Sequence, residues 1–169
     1  MTRLNARPKA APTIELIRRF YVAFSVRDWR VMSDCYAPDA TFEDPVFRLR
    51  GERIGLMWRM LCTNAREFSL EFSDVAADAT SGRAHWQARY CFSQTGRMVH
   101  NDIDAAFTFR DGRIASHVDS FDFWRWSRQA LGAPGWALGW SDTLRDKVRR
   151  RAARGLDHFA MQLGVGREP

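Results

Sequence analysis

The chain has 169 residues, 46% of them apolar, with 12 Phe and 7 Trp, and a formal net charge of +6. That length fits one domain plus an appendage, with material for a packed core. No stretch is apolar for long enough to span a bilayer. The charge is concentrated at the ends: residues 12–124 hold 14 Arg against 16 acids, which argues against a basic nucleic-acid groove across the body of the fold.

In chain order, residues 1–11 are basic and lack an apolar run, so they read as a disordered lead-in rather than a secretory signal. Thr13 is placed to cap a helix to about residue 24, with Ile14, Ile17, Tyr21 and Phe24 at helical spacing. Asp28 caps a shorter helix carrying Trp29, Met32, Cys35 and Tyr36, which Pro38-Asp39 ends. A short strand over residues 40–44 follows. Gly51 then precedes a third helix, about 52–64, with Ile54, Met57, Trp58 and Leu61 on one side.

From Phe68 the period changes to two. Strands are expected over residues 68–73, 83–93, 97–110 and 113–123. Ala84, Trp86, Ala88, Tyr90 and Phe92 share one face of the second of these. Asn101, Ile103, Ala105, Phe107 and Phe109 share one face of the third. Gln94-Thr95-Gly96 and Asp111-Gly112 are turn signals, the latter for a two-residue primed turn. Residues 124–131 read as a helix, Ala133-Pro134-Gly135 as a break, and Ser141 as the cap of a last helix. That helix carries Leu144, Val148, Leu156, Phe159 and Leu163, with Arg145, Lys147, Arg149, Arg150, Arg151 and Arg154 over the rest. A basic amphipathic helix of this kind either docks on its own domain with a solvated face or binds a partner or membrane surface. Three helices followed by a strand meander give an α+β fold, helices packed on one face of a strongly bent antiparallel sheet.

The chemistry concentrates in Phe42-Glu43-Asp44-Pro45-Val46. A carboxylate at a strand end that faces an apolar cavity has its charged form destabilised and its pKa raised. Such a group removes weakly acidic protons from a bound organic molecule. The alternative is a turn in which Asp-Pro only stops one element. On the last strand, His117, Asp119 and Phe121 share a face, inward or outward according to register. A strand bulge would shift that register. Asp122 reads as a helix cap. Asn101 is either a ligand-orienting amide or a buried, satisfied one.

The order of elements, with Tyr21-Val22-Ala23, Asp28 and the run from Tyr36 to Val46, resembles the nuclear transport factor 2-like superfamily over about residues 13–124. The nearest branches are the SnoaL-like polyketide cyclases and ketosteroid isomerases, with limonene epoxide hydrolase more distant. The resemblance implies a cone of bent sheet and three helices, often a homodimer through the sheet, enclosing a site for a hydrophobic small molecule. It implies three units: the lead-in 1–11, a SnoaL-like domain 12–124, and a helical extension 125–169 packed on the domain or on a partner subunit.

The isomerase base falls on Asp44 and its oxyanion-donating tyrosine on Tyr21. Its third group, an aspartic acid kept neutral to donate, falls on Ala105, with Asp104 one residue off and facing the other way. Losing one such donor costs about 2.7–4 kcal/mol of transition-state stabilisation, so the resemblance does not imply a plain steroid isomerase. Cyclases and epoxide hydrolases of the superfamily carry a working aspartate on the last strand, and Asp119 is its nearest counterpart, with His117 as partner. Trp58, Trp86, Asn101, Phe107 and Phe121 are the expected ligand-lining residues.

Other chemistries lack a pattern. His85, His100, His117 and His158 have no metal-ligand spacing, and no Gly-rich phosphate loop or nucleophile elbow is present. Cys35, Cys62 and Cys91 are odd in number and set in apolar segments, as buried free thiols would be. The expectation is therefore a cytoplasmic, cofactor-independent enzyme using a pocket carboxylate on a hydrophobic cyclic molecule, with no metal, nucleic acid or membrane partner. The alternative is a non-catalytic binder of the same kind of ligand.

Overall fold

The computed structural model describes residues 12–165; the expected lead-in 1–11 lies outside them. Helices α1 (Pro12–Ser25), α2 (Trp29–Asp34) and α3 (Glu52–Asn64) pack on a six-stranded sheet of β1 (Tyr36–Glu43), β2 (Arg48–Arg50), β3 (Arg66–Ala77), β4 (Ser81–Phe92), β5 (Arg97–Arg110) and β6 (Arg113–Ser120). The strand order is β2-β1-β6-β5-β4-β3. The β1–β6 pair is parallel and the others are antiparallel, so the curled sheet does not close. Three helices follow: α4 (Phe123–Leu131), α5 (Ala133–Leu138) and α6 (Asp142–Gln162). This is the mixed α+β cone that the element order implies.

The alternation on β5 buries Asn101, Ile103, Ala105, Phe107 and Phe109 and leaves their neighbours outward. Asp111 and Gly112, at φ 53° and 72°, form the primed turn into β6. The core is aromatic. Phe20 meets Tyr21, Tyr36 and Trp58 edge-on at 5.1, 5.8 and 5.5 Å, and Phe24 meets Trp86 at 5.5 Å.

Three local expectations are corrected. Thr13 does not cap α1, which begins at Pro12; its hydroxyl donates to the Asp78 carbonyl at 2.8 Å, tying the helix to the end of β3. Tyr36 does not end α2. It begins β1, opposite Ile114 of β6, and Pro38 falls where the β1–β6 register shifts, so its missing N–H removes no ladder bond. Ala133-Pro134-Gly135 does not break the chain either. It opens α5, because proline suits a first helical turn.

Candidate functional site

The site is set by one extra residue. Ile114 pairs with Phe109 and Ser116 with Thr108, which leaves Ala115 without a partner on β5. A strict alternation from buried Ile114 would turn Ser116 and Val118 inward; the bulge at Ala115 reverses it, and His117 and Asp119 are the buried ones. Asp119 then lies directly across from Ala105. The small side chain on β5 and the acid on β6 therefore occupy neighbouring places on the inner face. Asp104 points outward, where it meets His85 at 2.8 Å.

A buried chain of hydrogen bonds runs through these residues. Trp58 Nε1 donates to the Tyr36 hydroxyl at 3.1 Å, and that hydroxyl is 2.6 Å from His117 Nδ1. His117 Nε2 is 2.9 Å from Asp119 Oδ1, which also accepts from Trp86 Nε1 at 3.3 Å. One arrangement satisfies every donor: Tyr36 donates to Nδ1, and His117 carries its proton on Nε2 and gives it to the carboxylate. Rings of Phe107, Phe42 and Phe20 surround the imidazole with centroids at 4.4, 5.1 and 5.5 Å. Burial raises the Tyr36 pKa well above the ordinary phenol value, with Asp119 adding to the effect.

Asp119 also borders an open cleft of about 480 Å³ at the mouth of the cone. Asp44, Phe121, Trp124, Trp140, Arg145 and Arg149 line it too. Asp119 Oδ2 accepts no hydrogen bond from the described residues. Asp44 is held by its own turn: Oδ1 accepts from Val46 N at 2.6 Å and Phe47 N at 2.5 Å. Burial raises its pKa from 3.8 to about 7. The Phe47 and Val46 amides and Arg149 oppose that rise, and the charge of Asp119 adds to it. The charge of Asp119 thus reaches Asp44 across the cleft. Arg149 on α6 closes the other side, with Nε donating to the Pro45 carbonyl at 2.8 Å.

Of the sequence candidates, Asp44, Asp119 and Phe121 line this cleft. His117 is sealed behind Asp119. Tyr21 lies deeper, stacked on Phe72 at 5.3 Å, and its hydroxyl is buried with no partner among the described residues. Burial raises its pKa well above the usual value, with Asp119 next in effect. Trp58, Trp86, Asn101 and Phe107 do not border the cleft. All four are buried, and the rings of Trp58, Trp86 and Phe107, with those of Phe20, Tyr21 and Phe24, occupy the interior of the cone. The cleft lies where β1 and β6 end, against α6. Tyr36, Arg145 and Arg149 were not singled out from the sequence. Tyr36 sits four residues after Met32, which reads as helical spacing. The i, i+4 spacing of the two arginines was the available signal for a shared face. Among the described residues no group of three His, Cys, Asp or Glu side chains is placed to hold a metal ion. No described helix is long and apolar enough to cross a membrane.

The model of the SnoaL-like domain matches residues 17–117, and the chain belongs to that family. Asp119 and α4 to α6 lie beyond the matched stretch. No curated protein matches the chain. Solved structures with the fold include an LEH-like epoxide hydrolase of M. tuberculosis, at 20% identity and TM-score 0.61, covering 71% of this chain and 90% of that one. A Catenulispora acidiphila protein with a ketosteroid isomerase-like fold, in complex with trimethylamine, aligns at 13% identity and TM-score 0.62 over 72% of this chain and 95% of that one. A candidate polyketide cyclase of Xanthomonas campestris aligns at 19% identity and TM-score 0.59 over 70% and 96%. At these identities the likeness is one of fold.

Proposed function

We propose that this protein is a cofactor-independent enzyme of the isomerase, cyclase or hydrolase type, acting on a hydrophobic cyclic small molecule. The carrying observation is that two carboxylates, Asp44 and Asp119, line one cleft in different environments. Separated environments of this kind divide acid and base roles between like groups. Asp44 is the general base: with a pKa near 7 it is partly ionised at neutrality and basic enough to take a proton from a carbon beside a carbonyl or from a water. Asp119 holds the oxygen-bearing end of the ligand through Oδ2, while His117, Trp86 and Tyr36 fix its orientation. Its position opposite Ala105 supports its standing in for the acid that β5 lacks. Tyr21, whose hydroxyl has no partner among the described residues, lies behind the cleft and is the donor for a ligand oxygen only where the rings packed around it move aside. The same reading includes a homodimer through the outer sheet face, where Met98 and Val118 are exposed.

The test is a turnover screen on enolisable cyclic ketones and epoxides with the wild type and Asp44→Asn. The expected result is turnover by the wild type and a loss of about 10²–10⁴-fold in the variant. Activity that survives the substitution removes Asp44 as the base. Saturable binding with no turnover of either class would favour a binding protein.

A further inference from the structure

The cleft wall contributed by α6 is cationic, and one of its charges is left over. Arg145 and Arg149 stand one helical turn apart and both line the cleft. Arg149 is engaged through Pro45. Arg145 is not: its Nε is sealed from water and has no acceptor among the described residues. Its guanidinium lies over the Phe123 ring at 5.4 Å, and its nearest acid, Asp142, is 3.8 Å from Nη1 with a 93% exposed side chain. An ion pair to so exposed an acid holds the arginine weakly.

Among the described residues, none of the acids that share the cleft pairs with Arg145, and each has another partner. Glu43 pairs with Arg48 at 2.9 Å. Asp122 Oδ1 accepts from the Arg125 amide at the start of α4. Asp44 Oδ1 is taken by its own turn, and Asp119 Oδ1 by Trp86 and His117. The Arg145 side chain is 37% exposed, so the rest of its guanidinium, held only by an exposed acid and lining the cleft beside aromatic walls, is open to an acceptor the chain does not supply.

We propose that Arg145 forms an anion subsite in this cleft, and that the ligand is a flat apolar body, seated against Phe121, Trp124 and Trp140, bearing a carboxylate. The planar fork of the guanidinium matches a carboxylate in two parallel hydrogen bonds, and the guanidinium carbon lies over the Phe123 ring at 5.4 Å. The subsite rests on the reading of the cleft as the ligand site. It makes the C-terminal helix the element that selects the ligand.

The experiment titrates the full chain with 2-naphthoate and, separately, with its methyl ester, by calorimetry and by quenching of tryptophan fluorescence. The proteins are the wild type, Arg145→Gln, Arg145→Lys and Arg150→Gln; Arg150 is exposed on the same helix and does not line the cleft. The expected result is that the wild type binds the acid at least about tenfold more tightly than the ester. Arg145→Gln abolishes that preference without weakening the ester, Arg145→Lys restores part of it, and Arg150→Gln leaves it intact. Equal binding of acid and ester by the wild type overturns the subsite and leaves the cleft standing. Equal loss of both probes in Arg145→Gln assigns the arginine a structural role and also overturns it. So does a loss of preference in Arg150→Gln as large as that in Arg145→Gln. Failure of both probes to bind the wild type removes the cleft as a ligand site and the subsite with it.

Discussion

The Arg149 side chain donates to the Pro45 carbonyl at 2.8 Å, joining residues 104 positions apart. The bond fixes α6 against the turn that holds Asp44. It also brings a positive charge to a carboxylate that burial would otherwise push further from its ordinary value. The helix is thereby part of the cleft as well as an addition to the cone.

Removing that charge has a signed consequence. In Arg149→Gln the Asp44 pKa rises above its present value of about 7, because an opposing charge is lost while burial remains. Carboxyl chemical shifts followed through pH would show the midpoint move upward. A midpoint that stays or falls would mean that the arginine does not act on Asp44.

Asp44 also makes stability depend on pH. In the folded chain its carboxyl keeps a proton up to about pH 7, whereas an ordinary aspartate has a value of 3.8. Between those values the folded state binds more protons than the unfolded one, so this group's contribution to stability falls as pH rises from about 4 to 7 and is level above. Asp44→Asn, which keeps the acceptor for Val46 and Phe47, matches the wild type near pH 3. It exceeds the wild type at pH 8 by an amount on the order of a few kcal/mol. Urea denaturation of both proteins across that range measures the difference. Parallel curves would refute the linkage.

Tyr36→Phe removes one oxygen from the buried network. His117 Nδ1 and Trp58 Nε1 both lose their partner. Each stranded group costs about 1–3 kcal/mol, so the variant is less stable by roughly 2–6 kcal/mol. Chemical denaturation reads the loss, and the His117 ring nitrogens, followed by NMR, report a changed tautomer balance.

Leu156 gives the corresponding test of α6. It is fully buried against the main core, and nearby Asp157 meets Arg53 of α3 at 2.7 Å. Leu156→Ala is expected to cost about 2–5 kcal/mol in a single cooperative transition. A separate early transition, or no loss, would make α6 an independent appendage.

The legible parts of this fold were those decided locally. The alternation from Asn101 to Phe109 and the Asp111-Gly112 turn need no distant partner to be read. Tyr36 was not legible in its true place, because its strand exists only where β6 offers a ladder 78 positions away in the sequence. His117 and Asp119 could be named as candidates but not aimed, since their direction depends on a bulge at an alanine that carries no turn signal. The cleft residues of α6 read as a solvated basic face. What turns that face inward is the tight fold-back of α5 on α4, where a Cβ at Gly135 would lie 2.0 Å from the Ser127 carbonyl oxygen and Arg128 stacks on both Trp124 and Trp136.

Ala115 contributes no functional group, yet it decides which side of β6 is chemical. Most codon changes at that position would leave the polypeptide the same length and the acid where it stands. Drawing Ala115 into the ladder as an ordinary paired residue would instead present Val118 to the interior and the aspartate to water, inverting the strand without altering any side chain on it.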